Sequence, residues 1–306
     1  MKILIATEKP FAKAAVDSIG SLIKEAGHTM ELLEKYTSPE QLYNAVSDVD
    51  ALIVRSDKVT KEVIEAAKKL KIVVRAGAGY DNLDLDACTK RGIIAMNTPG
   101  QNSNAVAELA IGMMIYMARN AFTPGTGSEL KGKTVGLHAY GHVGSLVAKL
   151  AKGFEMEACA FVRDPRKYHL DQDGVQTATS VEELYEKSDF ISIHIPATAQ
   201  TKGFIGKNLL ERLPKGACIV NTARKEVINE PELIEVLEKR PDLKYITDVA
   251  TENHAVMVEK FGNRVFAPTK KMGAQTSEAN INAGVASAKQ IIEFFKSGDT
   301  TFQVNK

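Results

Sequence analysis

The segment Thr134-Val135-Gly136-Leu137-His138-Ala139-Tyr140-Gly141-His142-Val143-Gly144 constrains the fold of this chain more than any other. An apolar run meets a turn of small residues at fixed spacing, and a helical pattern follows. The segment fits A-x-G-x-x-G, a dinucleotide-binding turn with Ala139 where the first glycine belongs. Gly141 would let the backbone approach a pyrophosphate, and Gly144 would let the helix pack closely on the strand. Amides at the helix start, those of His142 and Val143 among them, would hold the phosphates. On this segment alone a plain tight turn between strand and helix is an equal reading. The missing glycine predicts a strained or altered turn. An acidic residue for the ribose should follow about 20 residues on. Asp164 lies just past the next strand pattern and fits that role. Arg163 and Arg166 flank it, and either could take a 2′-phosphate. NAD is therefore the expected cofactor and NADP the open alternative.

Around this turn, short β-branched runs alternate with longer helical patterns. Strands are expected at 2–6, 51–54, 71–74 and 93–97, with helices at 12–26 and 60–69. A long apolar helix is expected over 103–119. The Pro- and Gly-rich stretch 123–128 then breaks the pattern. A second series has strands at 134–138, 157–162, 189–195, 217–221, 244–248 and 264–267, and a last helix spans 276–296. This alternation predicts parallel sheets covered on both faces. The first series has few units, so the last helix and the tail 302–305 are expected to return and complete it.

Composition narrows the classes of partner. The 306 residues include 25% charged residues, and the formal net charge is +1, so no global field draws the chain to nucleic acid or an anionic membrane. The three cysteines, Cys88, Cys159 and Cys218, have no local spacing, which argues against a disulfide framework or a metal site. The longest apolar stretch, 105–118, contains Glu108 and is shorter than a membrane span. The opening run reads as a strand and not as a signal peptide. A cytoplasmic location is expected.

Several ordered segments carry a more specific message. Val74-Arg75-Ala76-Gly77-Ala78-Gly79-Tyr80-Asp81-Asn82-Leu83-Asp84 is one, and the run from Asn97 to Glu108 is another. Ser192-Ile193-His194-Ile195-Pro196, Asn221-Thr222-Ala223-Arg224 and Asp248-Val249 complete the set. Together they resemble the D-isomer-specific 2-hydroxyacid dehydrogenases, in family order and over nearly the whole chain. The segment 54–60 and the closing Gln303-Val304-Asn305 favour the branch that oxidises 3-phosphoglycerate. The resemblance implies an α/β fold of two doubly wound parallel-sheet domains. A Rossmann-type cofactor domain, 99–281, would be inserted in a flavodoxin-like substrate domain, 1–98 plus 282–306. A cleft between them would hold nicotinamide and substrate. No C-terminal regulatory extension is expected. The family's arm is shortened here to 120–131, and a homodimer is the expected assembly.

The resemblance also assigns roles. The partner is a phosphorylated small-molecule 2-hydroxy acid. Arg224 matches the family's catalytic arginine, which can hold carboxylate and carbonyl oxygens in fixed geometry. The family's acid/base histidine is absent, and alignment on Gly273 puts Lys271 in its place. A lysine can do this work only with a lowered pKa. Burial, Lys270 and Arg224 would all lower it. The family's partner glutamate falls at Asn253, with Glu252 one residue short. A carboxylate would raise a lysine's pKa, so Lys271 is expected to act without an obligatory carboxylate partner. His138, His142 and His194 are poorer candidates for the proton transfer. Arg55, Lys58 and Arg75 form the expected phosphate cluster. The amides of Ala76, Gly77 and Ala78, together with Asn102, would bind the rest of the substrate. His194, Pro196, Thr222, Ala223 and Asp248 complete the expected cofactor contacts. Two alternatives stay open: a reductase for hydroxypyruvate or glyoxylate, and a non-catalytic NAD-binding corepressor-like protein.

Overall fold

The computed structural model describes all residues, 1–306, and divides into two compact units. The first comprises Met1–Asn102 and Gln275–Lys306, and the second Ser103–Ala274.

The first unit opens with β1 (Lys2–Thr7), α1 (Lys13–Glu25), β2 (Thr29–Glu34), α2 (Pro39–Ala45) and β3 (Ala51–Val54). It continues with α3 (Lys61–Ala66), β4 (Ile72–Arg75), α4 (Leu85–Lys90) and β5 (Ile94–Asn97). All five strands pair in parallel in the order β2-β1-β3-β4-β5, the flavodoxin-like order. Successive strand residues point to opposite faces, and both faces are buried. Leu4, Leu52, Val54 and Val73 pack with Leu42, Ile64 and Cys88 of the helices on one side. Ile3, Ile5, Ile53 and Val74 pack with Ile19 and Ile23 of α1 on the other. Sequence patterning missed β2. It lies at the sheet edge and is largely exposed, so it lacks the apolar run that marks its neighbours.

The second unit holds α5 (Ser103–Ala118), β6 (Thr134–His138), α6 (His142–Gly153), β7 (Glu157–Phe161), β8 (Gln176–Thr177), α7 (Val181–Lys187) and β9 (Phe190–Ile193). After these come α8 (Lys207–Leu210), β10 (Cys218–Asn221), α9 (Glu230–Lys239), β11 (Lys244–Thr247), α10 (His254–Phe261) and β12 (Val265–Phe266). Seven parallel strands run β12-β11-β10-β9-β6-β7-β8. The order reverses between β6 and β9, a topological switch point at whose carboxyl ends ligands bind in such sheets. The apolar helix α5 is buried along much of its length, with Glu108 exposed. No helix is long and apolar enough to cross a membrane.

The last helix, α11 (Ser277–Ser297), belongs to the first unit and packs Ala283, Ala288 and Ile291 into the same core as α1. Behind it, Gln303 forms an antiparallel bridge with Met96. The Asn305 side chain bonds Ala95 N at 2.9 Å and Ile93 O at 2.9 Å. The helix and tail return to this unit, as its few units require. The three cysteines are free and buried.

Candidate active site

The turn after β6 has the strain that the missing glycine predicts. Ala139 has φ +89°, a conformation that costs a side-chain-bearing residue free energy. Gly144 is required for contact. A Cβ there would sit 2.4 Å from the Ala139 carbonyl oxygen and 3.4 Å from His194 Cδ2. Gly141 caps the start of α6, and a Cβ there would meet only open space. His142, Val143 and Gly144 form the first turn of α6, whose amides have no intrahelical acceptors. Two buried polar atoms lack partners, His194 Nε2 in a side chain beside this turn and Thr222 Oγ1 past the end of β10. Register pairs Asn221 with Ile193, so Thr222 and His194 continue adjacent strands. Orphaned polar atoms at strand ends, beside a glycine turn open to solvent, fit a bound dinucleotide. Burial pushes His194 down to about 3 and His138 to about 4, so both imidazoles are neutral at ordinary pH.

Asp164 follows β7 and caps a short 3-10 turn. Its carboxylate accepts from Arg166 Nε at 2.9 Å, which holds its pKa below the usual range. Pro196 lies in an exposed turn, where its carbonyl accepts from the Thr201 hydroxyl.

The carboxyl ends of β10 and β11 bring the expected chemistry together. Asn221 ends β10 and stitches the following turn, accepting from Ala223 N at 3.0 Å and donating to Arg224 O at 3.0 Å. This is Asx-turn chemistry, and Asn at a strand end is its sequence signal. Arg224 Nη1 donates to Ala223 O at 3.1 Å. Lys271 Nζ donates to the same oxygen at 3.0 Å. One carbonyl therefore gathers both cations.

No obligatory carboxylate was expected beside Lys271, yet one lies there. Asp248 Oδ1 lies 3.4 Å from Lys271 Nζ. Burial lowers the lysine's pKa most, Arg224 lowers it further, and Asp248 and Glu226 oppose them. Lys270 is not among these causes. The Lys271 side chain is 42% exposed, so water screens part of each of these influences. Glu252 is not brought to this cluster. Its side chain is 82% exposed and pairs with Lys225 at 3.2 Å. Asn253 bonds Glu230 instead.

In the first unit, Arg55 directly follows β3 and Arg75 ends β4. The Arg55 guanidinium donates to Lys9 O and Pro10 O, both at 3.0 Å, and to the Asn280 side chain. It also lies 5.0 Å from the Phe11 ring centre. Arg75 Nε donates to Arg55 O at 3.0 Å. Lys58 is exposed. Of the three expected nest amides, that of Ala76 donates to Val54 O at 2.8 Å and that of Gly77 to Arg75 O at 2.9 Å. Only the Ala78 amide is left for a carboxylate, because the neighbouring strand takes the Ala76 amide and the turn itself takes that of Gly77. Asn102 is half-buried just before α5. Sequence reading missed Asp57, a buried carboxylate that accepts from Glu8 N at 2.6 Å and Tyr36 OH at 2.9 Å. Arg55 N also donates to it at 3.3 Å, but Glu8 and Tyr36 lie far away in sequence, so no local pattern marks its burial.

With this geometry in view, comparison with known proteins is direct. Residues 91–270 match the family described as D-isomer specific 2-hydroxyacid dehydrogenase, NAD binding domain. D-3-phosphoglycerate dehydrogenase of Methanocaldococcus jannaschii is 37% identical over 82% of this chain and 51% of its own length. Hydroxypyruvate reductase of Thermotoga maritima is 34% identical over 86% of this chain and 90% of its own. A crystal structure of NAD+-bound 3-phosphoglycerate dehydrogenase from Entamoeba histolytica aligns with TM-score 0.91 at 48% identity, covering 100% of this chain and 99% of that one. The chain spans about half the length of the first curated relatives it matches, 51% and 58%. The chain belongs to the D-isomer specific 2-hydroxyacid dehydrogenases and carries their NAD-binding domain.

Proposed function

We propose that this protein oxidises D-3-phosphoglycerate to 3-phosphohydroxypyruvate with NAD, the opening step of serine biosynthesis. The observation that carries the chemistry is the convergence of Arg224 and Lys271 on the Ala223 carbonyl. The names of the relatives carry the choice of substrate.

In this reading Arg224 holds the carboxylate and the C2 oxygen with its fork of donors. The neutral Lys271 amine takes the C2 hydroxyl proton and becomes ammonium. The C2–H bond breaks with its electron pair, and the C2–O bond becomes a carbonyl. The turn 139–144 would hold NAD, which would supply the hydride acceptor. Arg55, Lys58 and Arg75 are assigned to the phosphate. Glu252 is assigned no step, because it pairs with Lys225 on the surface.

A second reading, reduction of hydroxypyruvate or glyoxylate, is favoured by one observation. Arg55 already donates to three acceptors of its own chain, which reduces what it offers a phosphate. NADH oxidation with 3-phosphohydroxypyruvate, run beside hydroxypyruvate and glyoxylate, separates the two. A strong preference for the phosphorylated acid is expected, and equal rates would favour the second reading. NADH binding without any turnover would point to a corepressor-like protein. A homodimer is proposed as the assembly, and light scattering of the purified protein tests it.

A further inference from the structure

We propose that Asp248 is a positioning residue that clamps the loop 270–273 and so keeps the Lys271 amine on the Ala223 carbonyl beside Arg224. This rests on the reading that Lys271 moves the substrate proton. The resemblance assigned Asp248 to the cofactor, but both its oxygens have partners in this chain. Oδ1 faces Lys271 Nζ at 3.4 Å, and Oδ2 accepts from Gly273 N at 3.0 Å. Its main chain is engaged on the same two sides, with Met272 N donating to Asp248 O at 3.1 Å and Asp248 N donating to Asn221 O at 3.1 Å. The Asp248 side chain is 1% exposed. A carboxylate so buried persists as an anion only when it is paired and hydrogen-bonded. Gly273 fits the same clamp, since a Cβ there would fall 2.6 Å from Asp248 Oδ2.

The clamp has an electrostatic consequence. The charged groups around the Lys271 amine are Asp248 just past β11, and Arg224 and Glu226 after β10. Asp248 holds the amine in place and also favours its charged form. The same contact that orients the base therefore delays its deprotonation.

Asp248→Asn separates these effects. Its amide oxygen can still accept from Gly273 N, while its NH2 group faces the ammonium and the ion pair is lost. Oxidation needs the neutral amine, so kcat rises with pH through the lysine pKa. In the variant that rise should move to lower pH by about one unit. The kcat plateau should fall about tenfold from loosened geometry. The pH dependence of Lys271 acylation by an amine-reactive ester, followed by peptide mass spectrometry, should move the same way. NADH affinity, read by its fluorescence, should change less than about threefold. An unmoved kcat profile and an unmoved acylation profile overturn the proposal. So does a large loss of NADH affinity with both profiles unmoved, which would make Asp248 a cofactor contact. Near-normal turnover in Lys271→Ala would sink the parent reading alone, because the acylation profile still reports on the clamp. If Asp248→Asn does not fold, Gly273→Ala decides. A lowered kcat with unchanged NADH affinity is expected, and an unchanged kcat overturns the clamp.

Discussion

Two turns at the carboxyl ends of parallel strands, one in each unit, carry closely spaced glycines and use them differently. After β4, Gly77 has φ +154°, and an added Cβ would fall 1.8 Å from the Arg75 guanidinium. After β6, the atom that an added Cβ at Gly144 would meet is the Ala139 carbonyl oxygen. A guanidinium at the end of a flexible stem can swing away. A carbonyl inside a tight turn cannot. The first turn also has its Ala76 and Gly77 amides bonded to main-chain carbonyls, of Val54 and Arg75, whereas the second leaves the helix start open. Similar composition thus gives one turn that frames an arginine and one that frames a helix end.

The largest effect should come from the cluster of Arg224, Asp248 and Lys271 in the second unit. Lys271→Ala should lower kcat about 10²- to 10⁴-fold, as loss of a general acid/base does, with NADH affinity preserved. Steady-state kinetics with fluorescence binding checks this, and a near-normal kcat would break the assignment.

Next comes acid stability, where the two sheets differ because the first has no histidine in its strands. Burial depresses His138 to about 4, so the folded state resists its protonation. Its contribution is complete above the unfolded pKa near 6.5 and is lost as pH falls from there toward 4. The loss is about 3 kcal/mol for this group. Denaturant melts at pH 7 and pH 4.5 test this. His138→Gln should flatten the dependence, and an unchanged slope would remove the histidine as its cause.

The glycines themselves come third. Gly144→Ala should destabilise by about 1–3 kcal/mol through overpacking and should weaken NADH binding. Gly77→Ala should leave NADH binding intact, with its cost confined to backbone strain and displacement of Arg75. Equal losses of NADH affinity in the two variants would erase the contrast. The smallest effect is a gain. Ala139→Gly should relieve the positive φ and stabilise by about 1 kcal/mol, raising Tm by a few degrees. A lower Tm would mean that Ala139 packing outweighs the strain.

Much of this was legible from residue order. The core strands of both sheets are short apolar runs, and their positions could be read directly. The edge strands β2 and β8 could not, because an exposed edge has no apolar signature. Ala139 in a glycine's place announced a strained turn. Lys271 in a histidine's place marked a departure from the family pattern. What residue order could not convey is which charges meet. Glu252 is close to the expected glutamate in sequence but turns outward to Lys225. Asp248 had another expected role, and the fold of the loop after β12 gives it Lys271. Arg55 carries the right charge for a phosphate, and α11 returns to supply Asn280 as its acceptor.

The sequence by itself determined the two parallel sheets, the cofactor turn and the residue types near the chemistry, because periodicity and glycine spacing are local properties of a chain. Only the tertiary structure decided how the turn after β6 bears its strain and which carboxylate Lys271 meets. Both depend on distances between residues far apart in sequence, and burial makes those distances matter.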